Sequence, residues 1–97
     1  MSETPRLRLH RILGEFRARA LGTGAFCAQF EYTYNTELDK ATLSPPEADA
    51  FGSLLEKVMW YSPHPEQRAD VPNYLGEKDI ARAAEVAVRR LGEVPTG

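Results

Sequence analysis

The segment from Ser44 to Tyr61 constrains the fold most, because it carries the full signature of a capped amphipathic helix. Ser44 is followed by two prolines and then by Glu47, so a hydroxyl, a proline at the first helical position and a carboxylate at the third stand in order. This spacing predicts a capping box, in which Ser44 and Glu47 each satisfy a backbone N–H of the other. We expect the helix to end near Tyr61, since Ser62 precedes Pro63 and a residue before proline avoids helical backbone angles. The apolar residues that recur at three- and four-residue steps are Ala48, Phe51, Leu54, Leu55, Val58 and Tyr61.

Two further helices are predicted before this one. The first begins at Thr4 and Pro5, an N-cap followed by a proline at the first helical position, and carries an apolar stripe up to residue 20. It breaks at residues 21–24, where we expect Gly22 to adopt the left-handed conformation that closes a helix and Thr23 to cap the next one. The second helix is predicted over 25–37, with a short strand around 30–34 as the alternative because that stretch is aromatic and β-branched.

The last predicted helix follows Gly76. Glu77 and Asp79 place acid at its N-terminus, and its apolar stripe continues to Leu91, where Gly92 can cap it. Four such segments joined by loops predict an all-α, antiparallel four-helix bundle, with residues 1–97 as one helical domain whose ordered part spans about 5–92. The expected core consists of Leu9, Leu13, Phe16, Phe26, Phe30, Tyr34, Phe51, Leu55, Val58, Ile80, Ala84, Ala87 and Leu91.

Several classes of protein are disfavoured by composition. The single cysteine, Cys27, allows neither an intramolecular disulfide nor a cysteine metal cage, and it is more typical of a small buried side chain than of a nucleophile. No apolar run reaches the ~18 residues that a membrane span needs. No convergent acid, base or metal-ligand set is visible, and His10 has no second ligand at a metal-binding spacing. We therefore expect a cytoplasmic protein that is not an enzyme and has no cofactor, metal or membrane partner.

The charge of −2 is distributed unevenly along the chain. Residues 1–24 hold five arginines against two glutamates, whereas residues 25–79 hold ten acids against four bases. An acidic middle argues against nucleic acid as the main ligand and favours a basic protein partner. The arginines of the first helix are split across two of its sides, which is more typical of a solvated face than of a phosphate-binding stripe.

Trp60 is the most distinctive single residue of the acidic middle. At 100° per residue it lies about 180° from Phe51 on the third helix, on the side of Asp49 and Glu56. Such a tryptophan is typical of a protein interface. The alternative is that Trp60 is buried beneath the following segment, which contains Pro63, Pro65 and Pro72 and is long for a helix–helix connection.

The order of these features resembles the colicin D-like immunity proteins, a bacterial family of toxin inhibitors that includes contact-dependent growth inhibition immunity proteins. The resemblance runs from about Leu9 to Leu91. It comprises a first helix ending in Phe16 and an arginine-alanine stretch, then Thr23 leading to Phe26. It continues with the sequence Leu-Ser-Pro at 43–45, the helix 51–61, the turn at 61–63, Arg68, the Asn-Tyr pair at 73–74 and the final helix.

This resemblance implies a four-helix bundle that binds one cognate toxin domain, of the tRNA-cleaving type in the colicin D case, and covers its basic active-site cleft with acidic side chains. The chain departs from the family where the colicin D inhibitor is acidic around the turn proline, because Ser62 and His64 occupy those places. We expect a monomer that binds through Asp49, Glu56, Trp60, His64, Glu66, Asp70, Glu77 and Asp79. The alternative function is a small helical adaptor with no toxin partner.

Overall fold

The computed structural model describes residues 3–62 and 74–92, and the part it describes is all-α. Four α-helices span Pro5–Arg17 (α1), Thr23–Tyr32 (α2), Pro45–Met59 (α3) and Glu77–Leu91 (α4). A π-helical turn over Thr33–Glu37 extends α2, and a short 3-10 turn over Lys40–Thr42 leads into α3. The predicted helical class is confirmed, and the short strand considered around 30–34 is wrong because this stretch is helical.

The helix starts follow the local chemistry of the sequence. The Thr4 hydroxyl accepts a hydrogen bond from the Leu7 N–H, which caps α1. At α3 the predicted capping box is confirmed: the Ser44 N–H donates to the Glu47 carboxylate at 2.8 Å, and the Glu47 N–H donates to the Ser44 hydroxyl at 3.3 Å. Each bond satisfies an N–H that has no partner within the helix.

The junction between α1 and α2 differs from the prediction. The left-handed residue is Arg19, with φ 63°, whereas Gly22 has an extended conformation and is itself the N-cap of α2. The Ala20 N–H donates to the Glu15 carbonyl at 2.8 Å and the Arg19 N–H to the Phe16 carbonyl at 3.1 Å. These two bonds form a Schellman motif, so α1 closes three residues earlier than a glycine at position 22 would allow.

One core draws on all four helices. The expected core residues are buried except Phe16, Leu55 and Leu91, which are half-buried and pack against it. Ile12, Ala50 and Leu54 are buried although they were absent from the expected set. In α3 the buried face is therefore centred one position earlier than predicted, on Leu54 instead of Leu55.

Contacts between helix ends fit the antiparallel arrangement. Phe16 at the end of α1 stacks on Phe26 at the start of α2, with ring centroids 4.3 Å apart. Near the start of α3, Asp49 lies 3.4 Å from Arg90 near the end of α4. At the other end, Leu75 just before α4 forms two backbone hydrogen bonds with the residues that follow α3. These contacts are compatible with a chain that reverses direction between α1 and α2 and again between α3 and α4.

Candidate partner-binding surface

The end of α3 presents two neighbouring apolar side chains to solvent. Met59 is 59% exposed and Trp60 is 45% exposed. The Trp60 ring contacts the Tyr74 ring, with centroids 5.9 Å apart, and this contact leaves almost half of the indole accessible. The alternative that Trp60 is buried is therefore wrong, and the interpretation of Trp60 as an interface residue stays a prediction. We call Met59, Trp60 and Tyr74, together with Glu56, the Trp60 surface.

This surface is fixed by backbone hydrogen bonds on both sides of residues 63–73. The Leu75 N–H donates to the Trp60 carbonyl at 2.8 Å, and the Ser62 N–H donates to the Leu75 carbonyl at 2.9 Å. The last turn of α3 tightens as well, because the Trp60 N–H donates to the Lys57 carbonyl at 3.1 Å. Three of the predicted partner-binding residues, His64, Glu66 and Asp70, lie outside the described residues.

The four described acids of the predicted site do not share one surface. Asp49 lies 3.4 Å from Arg90, so it pairs with an arginine of this chain. Asp79 accepts a hydrogen bond from the Gly76 N–H at 2.9 Å and closes the first turn of α4. Glu77 lines a cleft beside the α1–α2 junction, whereas Asp79 lines the groove between α3 and α4. Of the four described acids, Glu56 alone belongs to the Trp60 surface, one helical turn before Trp60.

A groove of about 280 Å³ runs between α3 and α4. Its floor consists of small or branched apolar side chains, and Val86 stands in it 41% exposed. Lys57, Arg82 and Arg90 line it, and among the described residues Asp79 is the one carboxylate beside them. The groove is therefore cationic although the middle of the sequence is acidic. We call it the α3–α4 groove.

A buried polar cluster joins α1 to α3, and sequence reasoning missed it. The Glu47 carboxylate, which caps α3, also lies 2.9 Å from Arg6 Nε and 2.7 Å from His10 Nε2. The His10 and Glu47 side chains are only 7% and 5% exposed. One signal was available, because Arg6 and His10 are four residues apart and therefore share a face of α1.

The electrostatics of this cluster favour the ionised carboxylate. Burial alone raises the pKa of Glu47, but hydrogen bonds from Arg6, His10 and the Ser44 backbone and side chain outweigh it and lower that pKa to about 2. No buried side-chain nitrogen or oxygen in the described residues lacks a hydrogen-bond partner, and this includes the buried atoms of the cluster. These observations make the cluster a structural joint between helices.

The arginines of the first helix are mostly engaged by carboxylates of this chain. Arg8 pairs with Glu3 and Glu37, and Arg11 pairs with Glu3 and Glu15. At the end of the helix Arg17 pairs with Glu85 of α4 at 2.9 Å. These side chains form intramolecular ion pairs on several sides of α1, which is consistent with the expectation that they make no single phosphate-binding stripe.

Cys27 is buried, at 6% exposure, and burial followed by the nearby Glu31 carboxylate raises the pKa of its thiol to about 12. A thiol with so high a pKa is a poor nucleophile, as expected for a core side chain. Across residues 3–62 and 74–92, no three His, Cys, Asp or Glu side chains are grouped so that they could hold a metal ion. None of the helices in these ranges combines the length and apolar character needed to cross a bilayer.

Comparisons with protein-family models, with curated proteins and with solved structures find no match to this chain.

Proposed function

We propose that this chain is an immunity protein that binds one cognate bacterial toxin in the cytoplasm and neutralises it in a one-to-one complex. The toxin would be a nuclease with a basic active-site cleft, as in the family that the sequence resembles. The observation that carries the proposal is the pair of exposed apolar side chains, Met59 and Trp60, at the end of α3. Methionine and tryptophan are enriched in the cores of protein interfaces and tryptophan among their energetic hot spots.

The backbone around Trp60 supports this role. Because Trp60 and Ser62 are both hydrogen-bonded to Leu75, the indole is held on a fixed backbone before any partner arrives. A preorganised aromatic side chain loses little conformational entropy on binding, so more of its burial appears as affinity. Trp60 would therefore be the anchor, and Met59 and Tyr74 would surround it.

Fewer acidic residues are assigned to the contact with a basic toxin than the sequence predicted. Glu56 is exposed one turn from Trp60 and is placed to meet a basic cleft. Asp49 lies beside Arg90 of the α3–α4 groove and Asp79 lines that groove, so neither belongs to the Trp60 surface and neither is assigned to the toxin contact. Glu56 would contribute more to the association rate than to the stability of the complex, since charges at the edge of an interface mainly steer encounter.

The test first asks whether a toxin domain is encoded beside this gene and then measures inhibition of that domain. We expect equimolar chain to abolish toxin activity and to form a one-to-one complex in size-exclusion chromatography with light scattering. Trp60→Ala should weaken binding by about tenfold or more, as for a hot-spot tryptophan. Glu56→Lys should slow association by about tenfold at low salt and by much less at high salt.

Two matched controls lie on α2, where Tyr32 is 60% exposed and Glu31 is also exposed. Tyr32→Ala and Glu31→Lys make the same types of change away from the Trp60 surface and should leave inhibition unchanged. A toxin that stays active at saturating chain concentration would refute the immunity role. Equal losses from Trp60→Ala and Tyr32→Ala would refute the assigned surface.

The alternative function, an adaptor that binds proteins other than toxins, is favoured by one observation. The described residues that line the α3–α4 groove include three cations and one carboxylate, which suits an acidic partner and not a basic nuclease cleft. An adaptor would bind through this groove and would leave the neighbouring toxin active.

A further inference from the structure

The two walls of the α3–α4 groove are regular. Its α3 wall consists of residues at helical spacing: Ala50, Ser53, Leu54 and Lys57. Its α4 wall has the same spacing over a longer stretch: Asp79, Arg82, Ala83, Val86, Ala87 and Arg90. Since positions three and four apart share one face of a helix, each helix gives a single continuous stripe to the groove.

The groove exists because the side chains at its floor are small. Ala50 and Ala87 are fully buried beneath it, Ala83 is half-buried, and none of the described residues that line it is aromatic. Apolar surface therefore remains uncovered at Val86, which is 41% exposed. From Asp79 to Arg90 the α4 wall extends ~16 Å at 1.5 Å per residue, which is about three helical turns.

The charge of the groove selects its occupant. Lys57, Arg82 and Arg90 give it a net positive charge, because Asp79 is the one carboxylate among its lining residues in the described ranges. The Asp79 carboxylate already accepts a hydrogen bond from the Gly76 N–H at 2.9 Å. The side chains of Asp49 and Arg90 are both exposed to solvent, and their charged atoms are 3.4 Å apart. Such an exposed pair is easily exchanged for a partner's carboxylate.

We propose that the α3–α4 groove binds an acidic amphipathic helix of a second protein. Apolar side chains of that helix, at three- and four-residue spacing, would cover Val86 and Ala83. Its flanking Glu or Asp side chains would pair with Lys57, Arg82 and Arg90. This is the helix-in-groove mode of recognition, with the bound helix lying along the two that form the groove. The proposal does not depend on the toxin partner, although the groove ends at Leu75 beside the Trp60 surface.

The test is a selection on the full chain. The probe is a displayed library of helical peptides whose apolar stripe is fixed and whose flanking positions are drawn equally from Glu, Gln and Lys. We expect Glu to be enriched at the flanks. For the best peptide, fluorescence anisotropy should show binding that Arg82→Glu/Arg90→Glu weakens by about tenfold or more, since each lost charge pair at a desolvated site is worth about that factor.

The matched control is Lys78→Glu/Arg89→Glu, which makes the same change of charge on α4 at two exposed residues that do not line the groove. It should change peptide affinity by less than about twofold. Val86→Glu should weaken binding as strongly as the groove double variant, and its unaltered thermal unfolding would show that the fold is retained. Trp60→Ala should leave peptide binding intact, which separates this proposal from the proposed function.

Three results would overturn the proposal. Enrichment of Lys, or no enrichment over the groove double variant, would show that the groove does not select acidic helices. Equal losses in the groove and control variants would show that only overall charge matters. Self-association of the chain in sedimentation velocity that Val86→Glu abolishes would show that the occupant is a second copy.

Discussion

Aromatic rings fill the apolar space that α2 shares with α1 and α3, whereas the floor between α3 and α4 consists of alanine, serine, leucine and valine side chains. On the first side Phe16 stacks on Phe26 at 4.3 Å, and the Phe30 ring lies within 5.6–6.2 Å of three other aromatic rings. On the second side the α3–α4 groove remains open, with Val86 41% exposed. The aromatic rings around α2 are packed in or against the core, whereas a recess remains between α3 and α4.

The difference shows where this small domain carries stability and where it can carry function. Aromatic side chains bury large areas and dominate the energetics of a core, so we expect the aromatic cluster around α2 to contribute most to the stability of the fold. Alanines bury little area each, so substitutions in the groove change the fold less and leave room for a ligand.

The largest effect is expected from Phe30→Ala. Phe30 is fully buried and its ring lies between those of Phe26, Tyr34 and Phe51. Its truncation should lower the free energy of unfolding by about 3–5 kcal/mol in urea denaturation. The comparison is Val86→Ala, which should change it by less than about 0.5 kcal/mol because Val86 stands in an open groove. Similar losses at the two sites would contradict the division between the halves.

The next effect concerns the joint between α1 and α3. Glu47→Gln keeps the size of the side chain but removes the charge that faces Arg6 and His10. Breaking a buried pair in this way leaves uncompensated polar groups, so the free energy of unfolding at neutral pH should fall by about 3 kcal/mol. Urea denaturation of the two proteins side by side measures it, and a loss below about 1 kcal/mol would contradict the role of the cluster.

The same substitution makes a signed prediction about pH. Because the pKa of Glu47 is about 2 in the folded protein and its ordinary value is 4.5, the unfolded chain takes up the proton first as pH falls. The stabilisation is complete above pH 4.5 and is lost as pH falls toward 2. The stability difference between the parent and Glu47→Gln should therefore disappear in acid. His10 and Arg6 both face this carboxylate, so His10→Asn is measured in parallel.

How much of this fold could be predicted depends on the range of the interactions involved. The capping box at Ser44 and Glu47 and the termination of α4 at Gly92 depend on residues within a few positions, and the structure has both. The contacts of Glu47 with Arg6 and His10 span 41 and 37 residues, and local pattern cannot register them. The π-helical turn at 33–37 also has no signal in the apolar period.

The candidate site was less predictable than the fold for the same reason. The helical period placed Trp60 opposite Phe51, and its exposure agrees with that position. The assignment of acids by position along the chain could not anticipate that Asp49 would meet Arg90, 41 residues away. The cationic α3–α4 groove arises only when Lys57 is brought beside α4, so the charge of a sequence segment did not reveal the charge of the surface.

A smaller effect of opposite sign is expected at the end of α1, and a destabilising one at the end of α4. Arg19→Gly should raise the free energy of unfolding by about 0.5–1 kcal/mol, because a left-handed arginine costs more than a left-handed glycine. Gly92→Ala at the end of α4, where φ is +69°, should lower it by about 1 kcal/mol. Calorimetric melting of both variants measures these shifts, and a destabilising Arg19→Gly would mean that the arginine side chain makes contacts worth more than its strain.

The smallest effect on stability is expected from Asp49→Asn, and it links the comparison to the groove. Asp49 is two residues from Glu47 on α3, but its side chain is 65% exposed and meets Arg90 at 3.4 Å. Its neutralisation should change the free energy of unfolding by less than about 0.5 kcal/mol, as for most exposed ion pairs. Because Arg90 would lose its intramolecular carboxylate, the groove should bind an acidic helical peptide about two- to threefold more tightly at low salt, and anisotropy titration measures this gain. Weaker peptide binding by Asp49→Asn would contradict the pairing of Arg90 with an incoming carboxylate, whereas a large loss of stability would remove the contrast between the two carboxylates of α3.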